Sequence, residues 1–186
     1  MVRKLFGILL AMIVVLIVIG FMLPTTLVVE RSRVIDRSPE VLFEVLSDLH
    51  HFTQWAPWLV RNPDMDWRLE GPDSGVGATL VWRETPESGE SRLRIVGTTP
   101  PERVELILEM ADTEFDNWFH VTPDEGGQRV SWGMRAQFGA LDLVGRYVGL
   151  ILPGLIGKDY REGLERLEDY LEQSPGGAPQ LPASRD

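Results

Sequence analysis

The chain has 186 residues and a formal net charge of −10, with 28 Asp and Glu against 18 Lys and Arg. This acidity argues against nucleic acid as a partner, because phosphate repels acidic surfaces. Two of the basic residues, Arg3 and Lys4, precede the first apolar run, so the rest of the chain is more acidic still and is repelled by anionic lipid. The absence of cysteine excludes disulfides, thiolate metal sites and thiol catalysis.

The first predicted element is an apolar helix directly after Arg3 and Lys4. The run from Leu5 to Leu23 contains no charged residue, and as a helix it would span roughly 28 Å, close to the hydrocarbon thickness of a bilayer. A cleavable signal peptide is the alternative, but its apolar core is usually about 7–15 residues long and ends at a small-x-small site. No such site follows Leu23. We therefore predict a membrane anchor over residues 1–26 that crosses the membrane once.

Basic residues on the two sides of this run bear on its orientation. Arg3 and Lys4 abut the helix, whereas Arg31, Arg33 and Arg37 on the other side follow a stretch without charge. Basic residues next to a membrane helix favour the cytoplasmic side. The sequence thus favours an amino terminus in the cytoplasm and an extracytoplasmic, periplasmic domain.

The domain, predicted over residues 27–173, begins with a strand at 27–35, in which apolar residues alternate with polar ones. Ser38 and Pro39 then form an N-cap and a first helical residue, which predicts a short helix, and a second short helix is expected from Asp48 to about Trp55. Five or six extended segments follow, separated by turns rich in Gly and Pro. They lie near 66–69, 78–84, 90–97, 103–110, 114–122 and 128–138.

The last predicted element is a long amphipathic helix. Its apolar residues recur at intervals of three or four, at Ile156, Tyr160, Leu164, Leu167 and Leu171. Pro153 predicts a helix break before it. The order of elements indicates an α+β fold, in which a curved antiparallel sheet wraps around the terminal helix.

Several motifs of the sequence resemble those of a known family. This family is the SRPBCC superfamily, the START-like, helix-grip proteins often labelled polyketide cyclase/dehydrase or lipid-transport proteins. The resemblance rests on Ile35–Phe43, Ser47–Leu49, the Phe52-x-x-Trp55-x-Pro57-Trp58 motif, Gly75–Ala78, Gly126–Trp132 and the terminal helix. It implies a helix-grip fold with a deep apolar cavity between sheet and helix. Members of the family bind lipids, hormones or polyketides, and some cyclise or hydrolyse them.

Strand alternation indicates which side chains face that cavity. Large aromatic residues and methionine dominate the inward faces, where they either fill a core or form the wall of a pliable pocket. Asn117 would be a lone polar group there, able to orient a ligand or to bond to backbone. The residues that we predict to line the cavity are Leu80, Trp82, Leu106, Leu108, Met110, Asn117, Phe119, Trp132, Met134, Ile151, Tyr160 and Leu164.

Candidates for chemistry are few. His50 and His51 beside Asp48 resemble metal ligands, but adjacent helical residues point about 100° apart and do not readily share one ion. Along its predicted strand His120 alternates with the inward-facing Phe119, so it is expected on the solvent face. The sequence therefore predicts no catalytic residue, no metal and no cofactor. Three carboxylates lie nearest to the inferred mouth and fit either acid–base work or a solvated sheet edge; they are Glu84, Glu114 and Asp116.

An apolar, glycine-containing segment, Val148–Gly157, directly precedes the terminal helix. Such a segment is not expected to be fully exposed. It fits a gate over the cavity, a contact with the bilayer near the anchor, or packing against the first helices. The tail, residues 174–186, is rich in Pro, Gly and small residues and is predicted to be disordered.

These features favour a membrane-anchored binder or carrier of a hydrophobic small molecule or lipid. An enzyme of the cyclase or hydratase type is one alternative and would need a polar group inside the pocket. A structural or regulatory envelope domain with a filled core, binding a protein partner that the sequence does not identify, is the other. A connected cavity would discount this last alternative.

Overall fold

The computed structural model describes residues 2–85, 88–110, 113–174 and 177–181. Its first helix, α1 (Val2–Met22), contains the predicted apolar run. Within it, Arg3–Met22 has a mean hydropathy of 3.1 and is long and apolar enough to cross a membrane by length and composition. Pro24 follows the helix and separates it from the first strand, consistent with the missing N–H of proline.

Seven strands form one curved antiparallel sheet, as the alternation of apolar and polar residues predicted. In chain order they are β1 (Thr26–Ile35), β2 (Asp66–Glu70), β3 (Thr79–Arg83), β4 (Ser91–Thr99), β5 (Arg103–Met110), β6 (Thr113–Asp124) and β7 (Gly127–Gln137). Their order in the sheet is β1-β7-β6-β5-β4-β3-β2. Strands β2 to β7 are therefore a meander of neighbours, and β1 closes the sheet beside β7.

Five further helices lie within the described part of the domain. They are α2 (Pro39–Ser47), α3 (Leu49–Trp55), α4 (Pro57–Arg61), α5 (Leu143–Val148) and α6 (Leu152–Glu172). Ser38 caps α2 as predicted and accepts from the backbone N–H of Val41. Asp48 caps α3 in the same way and accepts from the backbone N–H of His50. The sequence analysis did not predict α4. The expected break before the terminal helix lies between α5 and α6, and Pro153 occupies the first turn of α6.

Helix α6 packs across the concave face of the sheet, so the fold is the predicted helix grip. Leu164, Leu167 and Leu171 on its inner face are fully buried in the core. Burying each such side chain contributes about 1.5–3 kcal/mol to folding. The second half of α6 is therefore packed tightly on the sheet, whereas a cavity remains between the sheet and its first half.

Part of the tail lies against the domain. Ala178 packs on the core and Pro179 is buried. Residues 175–176 and 182–186 lie outside the described residues, and disorder there stays a prediction.

Candidate functional site

A cavity of about 500 Å³ lies between the concave face of the sheet and the first half of α6. Five neighbouring strands, β3 to β7, line it together with α4 and α6. The residues in its wall are Trp58, Trp82, Glu84, Leu93, Leu106, Leu108, Met110, Thr113, Phe115, Asn117, Phe119, Trp132, Met134, Leu152, Ile156, Asp159 and Tyr160. Most are apolar, so the cavity favours a ligand with a largely hydrophobic body.

Trp132 is the centre of an aromatic wall. The ring of Tyr160 stacks on it, with centroids 4.1 Å apart and an interplanar angle of 10°. Trp58, brought in by the short helix α4, lies 6.1 Å from Trp132 and 5.8 Å from Trp82. These rings present a broad and rigid apolar surface to the cavity, because aromatic side chains have few rotatable bonds.

Flexible side chains form another part of the wall. Leu106, Leu108 and Met110 alternate along β5, and Met134 extends from β7. Methionine is unbranched and polarisable, so it adapts to irregular shapes. A wall that is partly rigid and partly adaptable suits ligands of related but variable shape.

A polar pair lies inside this apolar wall. Tyr160 donates its hydroxyl hydrogen to Oδ1 of Asn117 at 2.7 Å, and Nδ2 of Asn117 donates to the carbonyl of Phe115 at 3.1 Å. Burial raises the pKa of Tyr160 far above its usual value, so the hydroxyl keeps its proton. The Tyr160 oxygen can still accept a hydrogen bond, and Nδ2 of Asn117 carries a second hydrogen. The pair could therefore position one hydroxyl or carbonyl group of a ligand.

The carboxylates in the wall are at its periphery. Glu84 and Thr113 are exposed, and Asp159 pairs with Arg61 at a distance of 2.8 Å. Asp116 lies on the outer face of the sheet beside Arg135, and Glu114 is exposed. Of the three carboxylates singled out in the sequence, Glu84 alone belongs to the described cavity wall.

Nine of the predicted site residues line the cavity. They are Trp82, Leu106, Leu108, Met110, Asn117, Phe119, Trp132, Met134 and Tyr160. Their role in binding a ligand stays a prediction. Strand parity identified eight of them, and the apolar stripe of the terminal helix identified Tyr160.

The structure places the other three elsewhere. Leu80 has the same orientation as Trp82, but it lies two residues deeper in the sheet, where side chains fill the core. Leu164 lies one turn beyond Tyr160 and is likewise core. Ile151 immediately precedes α6 and is 63% exposed. Alternation along a strand identifies the face on which a side chain lies. It does not identify the point along that face where the packed core ends and the open cavity begins.

Several wall residues were missed in the sequence. Leu93 and Phe115 have the parity of the inner face and could have been found by the same argument. Leu152, Ile156 and Asp159 lie on the same side of α6 as Tyr160 at helical spacing. Trp58 depends on the turn between α3 and α4, which periodicity does not reveal.

The histidines are directed away from the cavity. Nδ1 of His50 lies 2.9 Å from Oδ1 of Asp48, whereas Nδ1 of His51 lies 2.7 Å from the hydroxyl of Tyr170. The two imidazoles therefore have separate partners. Among the described residues, no group of three His, Cys, Asp or Glu side chains could hold a metal ion. His120 lies on the outer face beside Trp118, in agreement with its parity.

The apolar segment before α6 is not buried against the first helices of the domain, α2 to α4. Its residues Leu150, Ile151 and Leu155 are each more than half exposed. The preceding helix α5 instead packs against α1, where the hydroxyl of Tyr147 donates to the carbonyl of Leu16 at 2.6 Å. Packing against the first helices therefore does not explain this segment.

Solved structures share this fold at low sequence identity. A protein from Rhodobacter sphaeroides is 17% identical, with a TM-score of 0.57 over 80% of this chain and 93% of its own. The Aha1 dimer from Colwellia psychrerythraea is 18% identical, with a TM-score of 0.53 over 80% of this chain and 98% of its own. Protein Ms6760 from Mycobacterium smegmatis is 14% identical, with a TM-score of 0.53 over 86% and 93% of the two chains. These likenesses concern the fold alone.

A family model gives the stronger result, although no curated protein is similar enough to this chain to count as a match. The model described as "Polyketide cyclase / dehydrase and lipid transport" matches residues 26–172. This range contains the whole sheet and α2 to α6, and it leaves out α1 and the tail. The chain therefore belongs to the polyketide cyclase/dehydrase and lipid transport family.

Proposed function

We propose that this protein binds or carries a hydrophobic small molecule or lipid in the cavity, and that α1 holds it at a membrane. The observation that carries the proposal is the apolar cavity of about 500 Å³ between sheet and helix. Small-molecule sites typically measure roughly 300–1,000 Å³ and combine apolar walls with a few polar groups. The description of the family includes lipid transport, which agrees with a cavity for hydrophobic ligands.

The polar pair narrows the ligand class. Asn117 and Tyr160 lie among aromatic and aliphatic side chains and are themselves buried. The Tyr160 oxygen can still accept a hydrogen bond and Nδ2 of Asn117 can still donate one, beyond the bonds that they already make. Unused hydrogen-bonding capacity in such surroundings costs free energy, so the pair favours a ligand that offers a hydroxyl or carbonyl group there. An amphipathic molecule, apolar along most of its length, fits this arrangement.

The membrane part of the proposal rests on α1. Its apolar residues are exposed along almost the whole helix, which is unfavourable in water and favourable in hydrocarbon. We place the amino terminus in the cytoplasm, because Arg3 and Lys4 abut the helix. The domain then lies outside, next to the bilayer.

The cavity argues against a purely structural domain with a filled core. An enzymatic role would use Asn117 and Tyr160 to polarise a substrate, with Glu84 or Asp159 at the periphery exchanging protons with water. These residues are compatible with cyclase or hydratase chemistry, so the test below includes a search for products.

Native mass spectrometry of the full chain, purified from its own membranes in a mild detergent, tests the proposal. We expect an apolar adduct at one molecule per chain. Leu108→Trp, which fills the cavity, should abolish the adduct, whereas Ile107→Trp on the outer face of the same strand should retain it. An empty wild-type protein that also takes up no member of a lipid panel would refute the binding function. A released compound that differs in mass from the compound supplied would indicate catalysis.

A further inference from the structure

The carboxyl-terminal end of α1 is fastened to α5. Arg146 is buried and donates to the carbonyl oxygens of Gly20, Phe21 and Leu23, which end α1. The partial negative charge at a helix carboxyl terminus favours a cation there. Tyr147 adds a hydrogen bond to the carbonyl of Leu16. Helix α5 therefore follows the last turns of α1 rather than standing apart from it.

The surface around this junction is apolar and exposed. From Leu141 to Leu155 the chain presents large hydrophobic side chains, some of them among the most exposed in the domain: Leu141 (83%), Val144 (76%), Val148 (42%), Leu150 (58%), Ile151 (63%) and Leu155 (64%). Contiguous exposed apolar surface of this kind marks a site of contact.

The charges of this stretch do not oppose contact with lipid. Residues 141–155 contain one acidic residue, Asp142, and one basic residue, Arg146. Asp142 caps α5 by accepting from the N–H of Gly145 at 2.8 Å, and Arg146 is occupied by backbone carbonyls. The segment is therefore neutral, although the domain as a whole is acidic. Its two ionised groups have partners, which lowers the cost of taking them out of water.

The depth of α5 follows from its position along α1. Leu16 and Leu23 both contact α5 through hydrogen bonds and are about 10 Å apart along the helix axis. Amphipathic segments at a membrane surface are buried about 5–10 Å at the boundary of headgroups and acyl chains. If α1 crosses the bilayer, α5 lies in this boundary layer.

The exposed part of the cavity wall, with Glu84 and Thr113, lies at the same end of the strands as the junction with α1. Strand β1 starts at this end of the sheet, where Thr26 pairs with Gln137, the last residue of β7. Because neighbouring strands are antiparallel, β5 ends and β6 starts at this same end of the sheet, where Met110 pairs with Thr113. Both residues belong to the cavity wall. The chain thus leaves α1 at the end of the strands where the exposed residues of the cavity wall lie.

We propose that residues 141–155 form a second membrane contact beside α1, and that the cavity takes its ligand directly from the bilayer. The exposed side chains of this segment enter the lipid boundary layer. Leu152 within the segment and Ile156 one turn further along α6 belong to the cavity wall and so connect the two. The inference rests on the proposed function, since it requires α1 to span the membrane. It deepens that function by naming the source of the ligand as membrane lipid.

Depth measurements on the full chain in phosphatidylcholine liposomes test the contact. The chain has no cysteine, so single replacements Val144→Cys and Leu150→Cys can carry an environment-sensitive nitrobenzoxadiazole label. Val76→Cys is the matched control. Val76 is 58% exposed, as is Leu150, but it lies between β2 and β3, at the opposite end of the strands. We expect a blue shift and quenching by doxyl-labelled lipid at the first two positions, and quenching by aqueous iodide at the control. Emission at positions 144 and 150 that equals the control would overturn the contact.

A second measurement tests entry from the bilayer and separates it from binding. A pyrene-labelled fatty acid in the liposomes reports entry by energy transfer from the cavity tryptophans. The double variant Val144→Asp/Leu150→Asp should slow entry and leave the final occupancy unchanged. An unchanged rate would overturn entry from the bilayer. If the wild-type chain binds no probe, entry and the proposed function both fail for this ligand class, while the label depths still decide the contact.

Discussion

The hydroxyl of Tyr160 donates to Oδ1 of Asn117 at 2.7 Å and so joins α6 to β6 within the cavity wall. Both side chains are buried, and the ring of Tyr160 also stacks on Trp132. One tyrosine therefore links the helix to the sheet, orients the amide and forms part of the aromatic wall.

Tyr160→Phe should destabilise the protein, because Oδ1 of Asn117 loses its donor in a buried position. A buried polar group left without a partner costs about 1–3 kcal/mol. Thermal unfolding of the full chain in detergent micelles measures the loss. In the double variant Tyr160→Phe/Asn117→Leu the two losses should not add, since neither polar partner remains. Fully additive losses would contradict a direct bond between the two residues.

Gly163→Ala should disturb the same wall from the helix side. A Cβ atom at this position would lie 2.5 Å from Cζ3 of Trp132 and 3.2 Å from Cγ of Pro57. Trp132 is held by several rings and cannot easily move, so overpacking should cost about 1–3 kcal/mol. Gly154→Ala in the same helix is the control, because nothing lies within 4 Å of its added methyl group. Equal unfolding temperatures of the two variants would show that the contact is not tight.

Arg146→Met should separate α5 from α1. The guanidinium group donates to carbonyls of α1 and to those of Gly139 and Ala140, and each hydrogen bond to a charged group is worth about 1.5–3 kcal/mol. Hydrogen exchange of residues 139–150 in nanodiscs should become markedly faster. Arg161→Met, at an exposed position of α6, should leave exchange there unchanged. Unaltered protection in the Arg146 variant would mean that packing alone holds the junction.

Stability should fall in mild acid because of His51. Burial lowers its pKa below 6.5, although Asp48 and Glu44 oppose the shift. The pKa of the neighbouring Tyr170 is raised to about 12, so its hydroxyl remains a donor to neutral His51. The unfolded chain then binds the proton more tightly than the folded chain. The free energy of unfolding should therefore decrease as the pH falls from 6.5 towards the lowered pKa, and His51 contributes a slope of at most about 1.4 kcal/mol per pH unit. His120, whose pKa burial also lowers, contributes in the same direction.

Urea unfolding at a series of pH values, with an NMR titration of the His51 ring, measures this effect. His51→Gln should flatten the pH dependence in that interval. A slope as steep as that of the wild-type protein would assign the effect to another group.

Much of the fold could be predicted because its signals are local. The inward orientation of Leu106, Leu108 and Met110 follows from alternation along one strand, and the cap of α2 follows from Ser38. The short helix α4 has no such periodicity, which is why Trp58 was not assigned to the cavity. The limits of the cavity were also beyond prediction, because Leu80 and Leu164 differ from their lining neighbours only in what packs against them.

The sequence by itself determined the apolar first helix, the meander and the face of each strand, since all of these depend on residues close to one another along the chain. Only the tertiary structure decided that the cavity remains open under the first half of α6, that Asn117 meets Tyr160, and that Arg146 joins α5 to the end of α1. These contacts bring together residues distant in sequence. Their geometry depends on how the sheet curves and how the helix lies across it, and no local pattern encodes either.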